Sequence, residues 1–180
     1  MEIDFEEGDA EALPFPDARF DLVATMFGYV RCAPGTRGQR TDESMRARCR
    51  GRYGELDCES FVGKSFRLTA RYTPPPDGIP APTLWGNEKV VRERFGETAS
   101  QIATVRRELT FDYPLPPSEV VQFFRQNFGP TQTAFSRLNP AEQLAYAADL
   151  ESLWSQHNEA KENGRTLVRN EYLEVIATRA

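Results

Sequence analysis

The sequence predicts an α/β fold, and three observations lead to this class. A turn at Pro16-Asp17 is followed by a short, nearly continuous apolar run over residues 20–26, which is typical of a strand covered on both faces in a parallel sheet. Helical patterns then occupy much of residues 59–164. Two further stretches, residues 101–113 and 165–178, alternate apolar and polar side chains as strands do.

The composition limits the classes of protein to which this chain can belong. Its 180 residues are enough for one domain with a core, and 39% hydrophobic and 27% charged residues are ordinary for a globular protein. A net charge of −5 argues against a general nucleic-acid partner. No apolar run approaches the roughly 20 residues that span a bilayer. The acidic first residues lack the pattern of a signal peptide, so we expect a cytoplasmic location.

The chain begins with an alternating pattern that predicts a first strand. Ile3 and Phe5 face one way, and acidic residues of the stretch 2–8 face the other. Gly8 permits a sharp turn, and Asp9 would then present a carboxylate at the carboxyl end of this strand. Ligands bind at that edge in open α/β sheets, which makes Asp9 a candidate binding residue.

Residues 8–23, with the sequence GDAEALPFPDARFDLV, carry a family resemblance. They resemble the middle motifs of the class I S-adenosylmethionine-dependent methyltransferases, especially the ubiquinone/menaquinone-type (type 11) branch. The resemblance implies S-adenosyl-L-methionine as the cofactor and a small molecule as the methyl acceptor. It also implies that Asp9 binds the adenine amino group, that the Ala10 N–H reaches an adenine ring nitrogen, and that Met26 and Phe27 lie near the sulfonium.

The same resemblance implies an incomplete Rossmann-like methyltransferase sheet. The family's glycine-rich turn and ribose-binding acidic residue have no counterpart here, because the sequence contains no G-x-G-x-x-G. We therefore expect the first strands to be missing and the chain to be truncated at its amino end. The family also ends its sheet with two strands, the last antiparallel and inserted between its neighbours, with helices that shape the acceptor pocket. The predicted organisation is a single partial domain, with cofactor-side motifs in residues 1–28 and substrate-side elements in residues 59–180.

Residues 29–58 interrupt this pattern. Between Arg31 and Glu55 there is no Val, Ile, Leu or Phe. The segment contains seven arginines, Arg31, Arg37, Arg40, Arg46, Arg48, Arg50 and Arg52. A stretch of this composition cannot bury a core and is predicted to be disordered. It occupies the place where the fold needs a helix and a central strand, so one central strand is expected to be lost.

Two explanations of the arginine-rich segment stay open. In the first, the segment is frameshifted, because permitted codons read one base later turn Tyr29–Arg31 into Met-Phe-Ala and Gly51–Gly54 into Val-Ala-Met-Ala. That reading also restores a string similar to the family's E-L-x-R-V-C-x-P-G-G. In the second, the segment is a genuine loop that binds phosphate or RNA. Its three cysteines, residues 32, 49 and 58, form no C-x-x-C, and no metal site is predicted.

The elements after residue 58 follow from helix signals and proline positions. Val62, Phe66 and Ala70 predict one face of a first helix. The proline-rich stretch 73–86 predicts a stiff loop, which is either a connector or a rim over the substrate pocket with Trp85 as a wall. Asn87 is expected to cap a short helix that ends at Gly96.

The remaining pattern predicts strand, helices and strand. A helix is expected to start at residues 116–118 and to end at residues 129–130, with its apolar side chains on one face. Asn139-Pro140 predicts the start of another helix, which runs past His157 until Gly164 stops it. The last strand is expected over residues 165–178.

The sequence does not assign a catalytic base. Asp112, His157, Glu171 and Tyr172 have suitable side chains, but no pattern supports any of them. A lone histidine near a helix end is more often a packed or capping residue, and this reading is preferred for His157. The alternative function is non-enzymatic: a remnant or interaction module that no longer turns over. The resemblance of residues 8–23 implies that this chain is a methyltransferase by ancestry. We nevertheless expect it to be a catalytically incompetent fragment.

Overall fold

A computed structural model describes residues 4–7, 14–16, 18–26, 45–56, 59–76, 82–96 and 98–180. The strands are β1 (Phe20–Met26), β2 (Met45–Leu56), β3 (Ala99–Tyr113) and β4 (Thr166–Arg179). The α-helices are α1 (Phe61–Tyr72), α2 (Glu88–Phe95), α3 (Pro117–Asn127), α4 (Gly129–Arg137) and α5 (Pro140–Gln156), and a 3-10 helix spans Pro82–Gly86.

The four strands form one sheet in the order β1-β2-β4-β3. Strands β1 and β2 are parallel, with Met26 opposite Gly54. Strands β3 and β4 run antiparallel, because the Ala180 N–H donates to the Thr98 carbonyl (3.0 Å) and the Thr166 hydroxyl donates to the Leu115 carbonyl (2.7 Å) at the opposite end. The prediction that the two last strands share a mixed sheet with residues 20–26 is confirmed. So is the insertion of the last strand between its neighbours.

Strand β2 lies within the arginine-rich segment, where the sequence predicts no regular structure. The expectation of disorder is therefore wrong for the backbone of residues 45–56, and the central strand is present. A β-ladder is made by backbone N–H and C=O groups, so it does not require the apolar side chains on which the prediction depended. Residues 29–44 and 57–58 lie outside the described part of the chain.

The predicted first strand is wrong where the structure describes it. Residues 4–7 have no regular secondary structure, and the Phe5 side chain is 93% exposed. Alternation of apolar and acidic residues is compatible with a strand, but a strand also needs a hydrogen-bonded neighbour.

The chain divides into two compact units, each discontinuous in sequence. The first comprises residues 1–57, 79–106 and 173–180. Its core is made of buried side chains from the 3-10 helix, α2 and the end of β4, namely Trp85, Val91, Phe95, Leu173, Val175 and Ala177. Trp85 is 3% exposed and lies 6.0 Å from Phe95 between ring centroids. The interpretation of Trp85 as a pocket wall is therefore wrong, since its ring belongs to this core.

The second unit comprises residues 58–78 and 107–172. Its core joins α1, α3, α4, α5 and the start of β4, through Phe61, Leu68, Val120, Val121, Ala134, Phe135, Leu138, Tyr146, Leu150, Trp154 and Val168. In α1 the buried apolar side chains are Phe61 and Leu68, whereas Val62, Phe66 and Ala70 are only half-buried. The predicted face of α1 was therefore wrong. Spacings of four and of seven residues both describe a helical stripe, and the packing partners decide which stripe is buried.

The helix starts were predicted well because capping is local chemistry. Asn87 accepts hydrogen bonds from the Lys89 and Val90 N–H groups, and Asn139 forms a complete capping box with Glu142. The ends were predicted less well. Helix α5 ends at Gln156 rather than continuing to residue 164, and His157 is its carboxyl cap. Gly164 instead has a positive φ of 78° in the turn before β4.

Helix α4 was missed by the sequence analysis. Gly129 and Pro130 end α3, as predicted, but they also form the first turn of α4. Proline is favoured at this position because its missing N–H would have no partner inside the helix.

Candidate functional site

The carboxyl ends of β1 and β2 form the edge at which the sequence predicts a cofactor. Because the two strands are parallel, their carboxyl ends lie on the same side of the sheet, and Met26 is the last residue of β1. This is the edge where open α/β sheets bind ligands. Asp9, Ala10 and Phe27 lie outside the described residues, so their roles stay predictions. The backbone of Met26 ends β1 at this edge, and the role of Met26 in cofactor binding also stays a prediction.

Four aromatic rings form a wall on the second unit, which we call the aromatic wall: Tyr113, Phe123, Phe124 and Phe128. Ring centroids are 5.8 Å apart for Tyr113 and Phe123, and 5.6 Å apart for Phe124 and Phe128. Phe123 is 43% exposed and Phe128 is 41% exposed. The Tyr113 hydroxyl has no hydrogen-bond partner within the described residues, and burial raises the pKa of this phenol. The aromatic wall can therefore stack against a planar apolar group and offer it one hydroxyl.

Asp112, one of the residues considered as a base, is held in an ion pair. The Arg165 guanidinium donates to both of its carboxylate oxygens, at 2.9 and 2.7 Å, and also lies 3.5 Å from Glu162. These hydrogen bonds hold the pKa of Asp112 below its usual range, so it is a poor proton acceptor at neutral pH. The pair lines a shallow groove of about 380 Å³ with Pro114, Glu162, Asn163 and Gly164.

His157 contacts a residue that the sequence analysis did not single out. Its Nδ1 lies 3.0 Å from the Leu153 carbonyl oxygen, and its Nε2 lies 3.1 Å from the Lys64 ammonium. The ring also packs edge-on against Phe61, at 5.6 Å between centroids. The preferred reading of His157 as a packed capping residue fits this geometry. Only the fold brings Lys64 of α1 to the end of α5, since the two residues are 93 positions apart.

The remaining candidates do not assemble into a catalytic group. Glu171 is exposed and Tyr172 is half-buried on β4. In the part of the chain that the structure describes, no three His, Cys, Asp or Glu side chains are arranged to hold a metal ion, so the prediction of no metal site stays a prediction. None of the described helices is long and apolar enough to cross a membrane.

Comparison with known sequences gives relatives longer than this chain. No family model matches. An uncharacterized protein of Mycobacterium tuberculosis is 33% identical over 156 residues, which cover 84% of this chain and 56% of the relative. A demethylmenaquinone methyltransferase of Deinococcus radiodurans is 53% identical over 38 residues, which cover 21% of this chain and 16% of that protein. The chain thus spans about half the length of the first of these relatives.

Comparison with solved structures identifies the fold. The YcgJ protein of Bacillus subtilis matches 97% of this chain and 70% of its own, with a TM-score of 0.56 and 14% identity. A proposed methyltransferase of Bacillus halodurans matches 96% of this chain and 69% of its own, with a TM-score of 0.53 and 10% identity. A proposed methyltransferase from an antibiotic biosynthesis pathway of Anabaena variabilis matches 94% and 71%, with a TM-score of 0.53 and 12% identity. The chain therefore has the fold of the class I S-adenosylmethionine-dependent methyltransferases, as the resemblance of residues 8–23 predicted.

Proposed function

We propose that this chain is an S-adenosylmethionine-dependent methyltransferase domain that transfers a methyl group to a small-molecule acceptor. The observation that carries the proposal is the sheet, in which two parallel strands are followed by an antiparallel pair with the last strand inserted. The match to solved methyltransferase-like structures over nearly the whole chain supports it. The resemblance of residues 8–23 to the family's middle motifs adds support that is independent of the fold.

In sequence, the residues that would hold the cofactor precede β1 or come at its carboxyl end. Asp9 would accept a hydrogen bond from the adenine amino group, the Ala10 N–H would donate to the ring, and Met26 and Phe27 would contact the methionine portion. The end of β1 beside the end of β2 fits this arrangement at the level of the backbone. The bound cofactor supplies an activated methyl group on sulfur. The chain's own contribution is to align the acceptor and exclude water.

We infer that the isolated chain binds the cofactor weakly. Its 180 residues contain no G-x-G-x-x-G turn, and the resemblance assigns none of them to the family's ribose-binding acidic residue. A lost charged or bidentate contact costs about 1.5–3 kcal/mol. Two such losses correspond to a hundredfold or greater loss of affinity. The proposed state of this chain alone is therefore one without measurable methyl transfer.

Calorimetric titration with S-adenosylhomocysteine tests this proposal. The 180-residue chain should show no saturation at micromolar S-adenosylhomocysteine. A version extended by a strand, a G-x-G-x-x-G turn and a helix, with residues 29–58 replaced by the shifted-frame translation, should bind. Asp9→Ala should weaken that binding, whereas Asp4→Ala, at an exposed position, should not. If the extended chain ignores the ligand, the methyltransferase assignment fails and the non-enzymatic alternative is favoured.

The aromatic wall is by itself a candidate surface for a small molecule. Exposed Phe123 and Phe128 beside the Tyr113 hydroxyl favour a planar, largely apolar ligand that carries a polar group. We suggest 2-naphthol as a fluorescent probe of this surface. Phe123→Ala should weaken its binding roughly two- to thirteenfold, given about 0.5–1.5 kcal/mol per aromatic pair. Leu144→Ala is the matched control, because Leu144 is 75% exposed and is not part of the aromatic wall. Equal affinity in both variants would contradict the inference.

A further inference from the structure

Two basic side chains from different helices touch each other in the second unit. The Lys64 ammonium of α1 donates to Nε2 of His157 at the end of α5, over 3.1 Å. Lysine usually pairs with a carboxylate, but no described carboxylate lies within 4 Å of Lys64. The nearby acidic groups have other partners, since Glu59 binds Arg67 at 3.0 Å and Glu159 binds Arg169 at 2.9 Å.

The contacts of the imidazole define its protonation state in this arrangement. A carbonyl oxygen can only accept, so the Leu153 contact at 3.0 Å places a proton on Nδ1. Nε2 faces an ammonium, which can only donate, so Nε2 carries the lone pair and the ring is neutral. Protonation of Nε2 would place two cations in direct contact. The charged group that contacts the ring is therefore Lys64, with Phe61 packed against the ring beside it.

The helix ends do not by themselves account for this contact. A lysine beside the carboxyl end of α5 is favoured by the helix dipole, but it would then donate to the last free carbonyl groups. Here the ammonium donates to the imidazole instead, and two of its three donors have no partner among the described residues. Lys64 also lies at the fourth residue of α1, near the positive end of that helix. Within the described residues, these two donors are available to a bound anion.

We propose that Lys64 and His157 form a binding site for an oxyanion, a carboxylate or a phosphate group. The anion accepts hydrogen bonds from the Lys64 ammonium and from the Nε2–H of His157. The imidazole takes up one proton as the anion binds, because Nε2 must change from acceptor to donor. The Leu153 carbonyl keeps its hydrogen bond to Nδ1 throughout and so holds the ring in one orientation. The site requires no cofactor, and the proposal stands independently of the methyltransferase assignment.

The single histidine of the chain provides a direct probe, since His157 contributes the only imidazole signals in an NMR spectrum. Inorganic phosphate and acetate would be titrated separately at constant ionic strength, with sodium chloride as the compensating salt. We expect a saturable shift of the imidazole signals. For acetate near neutral pH, where the charge of the ligand is constant, affinity should increase as the pH is lowered, by at most tenfold per pH unit, which is the limit for one linked proton. Phosphate binding without acetate binding would show that the site prefers a phosphate group, and the reverse would show that it prefers a carboxylate.

Variants of Lys64 and His157, with a control at Lys161, distinguish a specific anion site from nonspecific charge effects. Lys64→Met should weaken anion binding at least tenfold, and Lys64→Arg should restore most of it. His157→Gln, followed by calorimetry, should bind with an affinity that no longer varies with pH. Lys161→Met removes the same charge from an exposed position and should bind like the parent chain. The proposal is overturned if the imidazole signals show no saturable shift, or if Lys64→Met and Lys161→Met behave alike.

Discussion

Asn170 offers a sharp test of how α1 is attached to the sheet. It lies on β4 with 2% of its surface exposed, and its Oδ1 accepts a hydrogen bond from the Val62 N–H over 2.9 Å. This N–H belongs to the first turn of α1, where the backbone donors have no partner within the helix. The side-chain amide also donates to the Glu171 carbonyl at 3.2 Å. Asn170, 108 positions away on a strand, therefore supplies a second acceptor to the first turn of α1, beside the N-cap Ser60 that accepts from the Gly63 N–H.

Replacing Asn170 with Ala removes the Oδ1 acceptor, so the Val62 N–H loses this hydrogen bond. A partly buried donor left unsatisfied costs about 1–3 kcal/mol. We expect the free energy of unfolding to fall by that amount in Asn170→Ala. With a urea dependence of about 1–3 kcal/mol per molar, the midpoint should shift by roughly 1 M. The measurement is urea denaturation at pH 7, followed by far-ultraviolet circular dichroism.

Asn163→Ala is the matched control for this experiment. Asn163 is exposed in the turn that contains Gly164, and substitutions at exposed positions usually change stability by less than about 0.5 kcal/mol. If Asn170→Ala and Asn163→Ala unfold at the same urea concentration, the acceptor supplied by Asn170 does not stabilise α1 and the reasoning fails.

Three further predictions concern the second unit. Trp154→Ala should destabilise it by about 3–5 kcal/mol, because the Trp154 ring fills the core 4.4 Å from Phe61; a normal thermal transition would contradict this. Arg165 lowers the pKa of Asp112, so the parent chain should be more stable than Asp112→Asn above about pH 4. This difference should disappear as the pH falls through the lowered pKa, which denaturation at several pH values would show. The hydrogen bond to Asp149 raises the pKa of Tyr72, so the parent chain should have a larger free energy of unfolding than Tyr72→Phe up to about pH 10. This difference should vanish above the raised pKa, and a difference that persists there would refute the contact.

The successful predictions depended on signals that are local in the chain. Asn87 and Asn139 marked helix starts because a cap is completed within three residues. Strands β3 and β4 showed alternation in the sequence, and in β4 the face that contains Leu173, Val175 and Ala177 is the buried one. The family string of residues 8–23 led to the fold class because its turn and strand chemistry lies in one continuous stretch.

The wrong predictions share a dependence on partners distant in sequence. Strand β2 has no apolar signature, yet it lies between β1 and β4, where backbone groups of both neighbours are available for pairing. The frameshift hypothesis expected a strand at the same place in a different reading frame, and it stays a prediction. Phe5 has the alternating context of a strand but gains no neighbour in the described structure.

By itself the sequence determined the α/β class, most helix starts and the last two strands, whereas the cofactor that the family string implies stays a proposal. These follow from contacts within a few residues, where propensity, capping and periodicity act directly. Tertiary structure alone decided which stripe of α1 is buried, that Trp85 belongs to a core, and that Lys64 meets His157. Such contacts join residues tens of positions apart, and their free energy depends on which surfaces the fold brings together rather than on the local sequence.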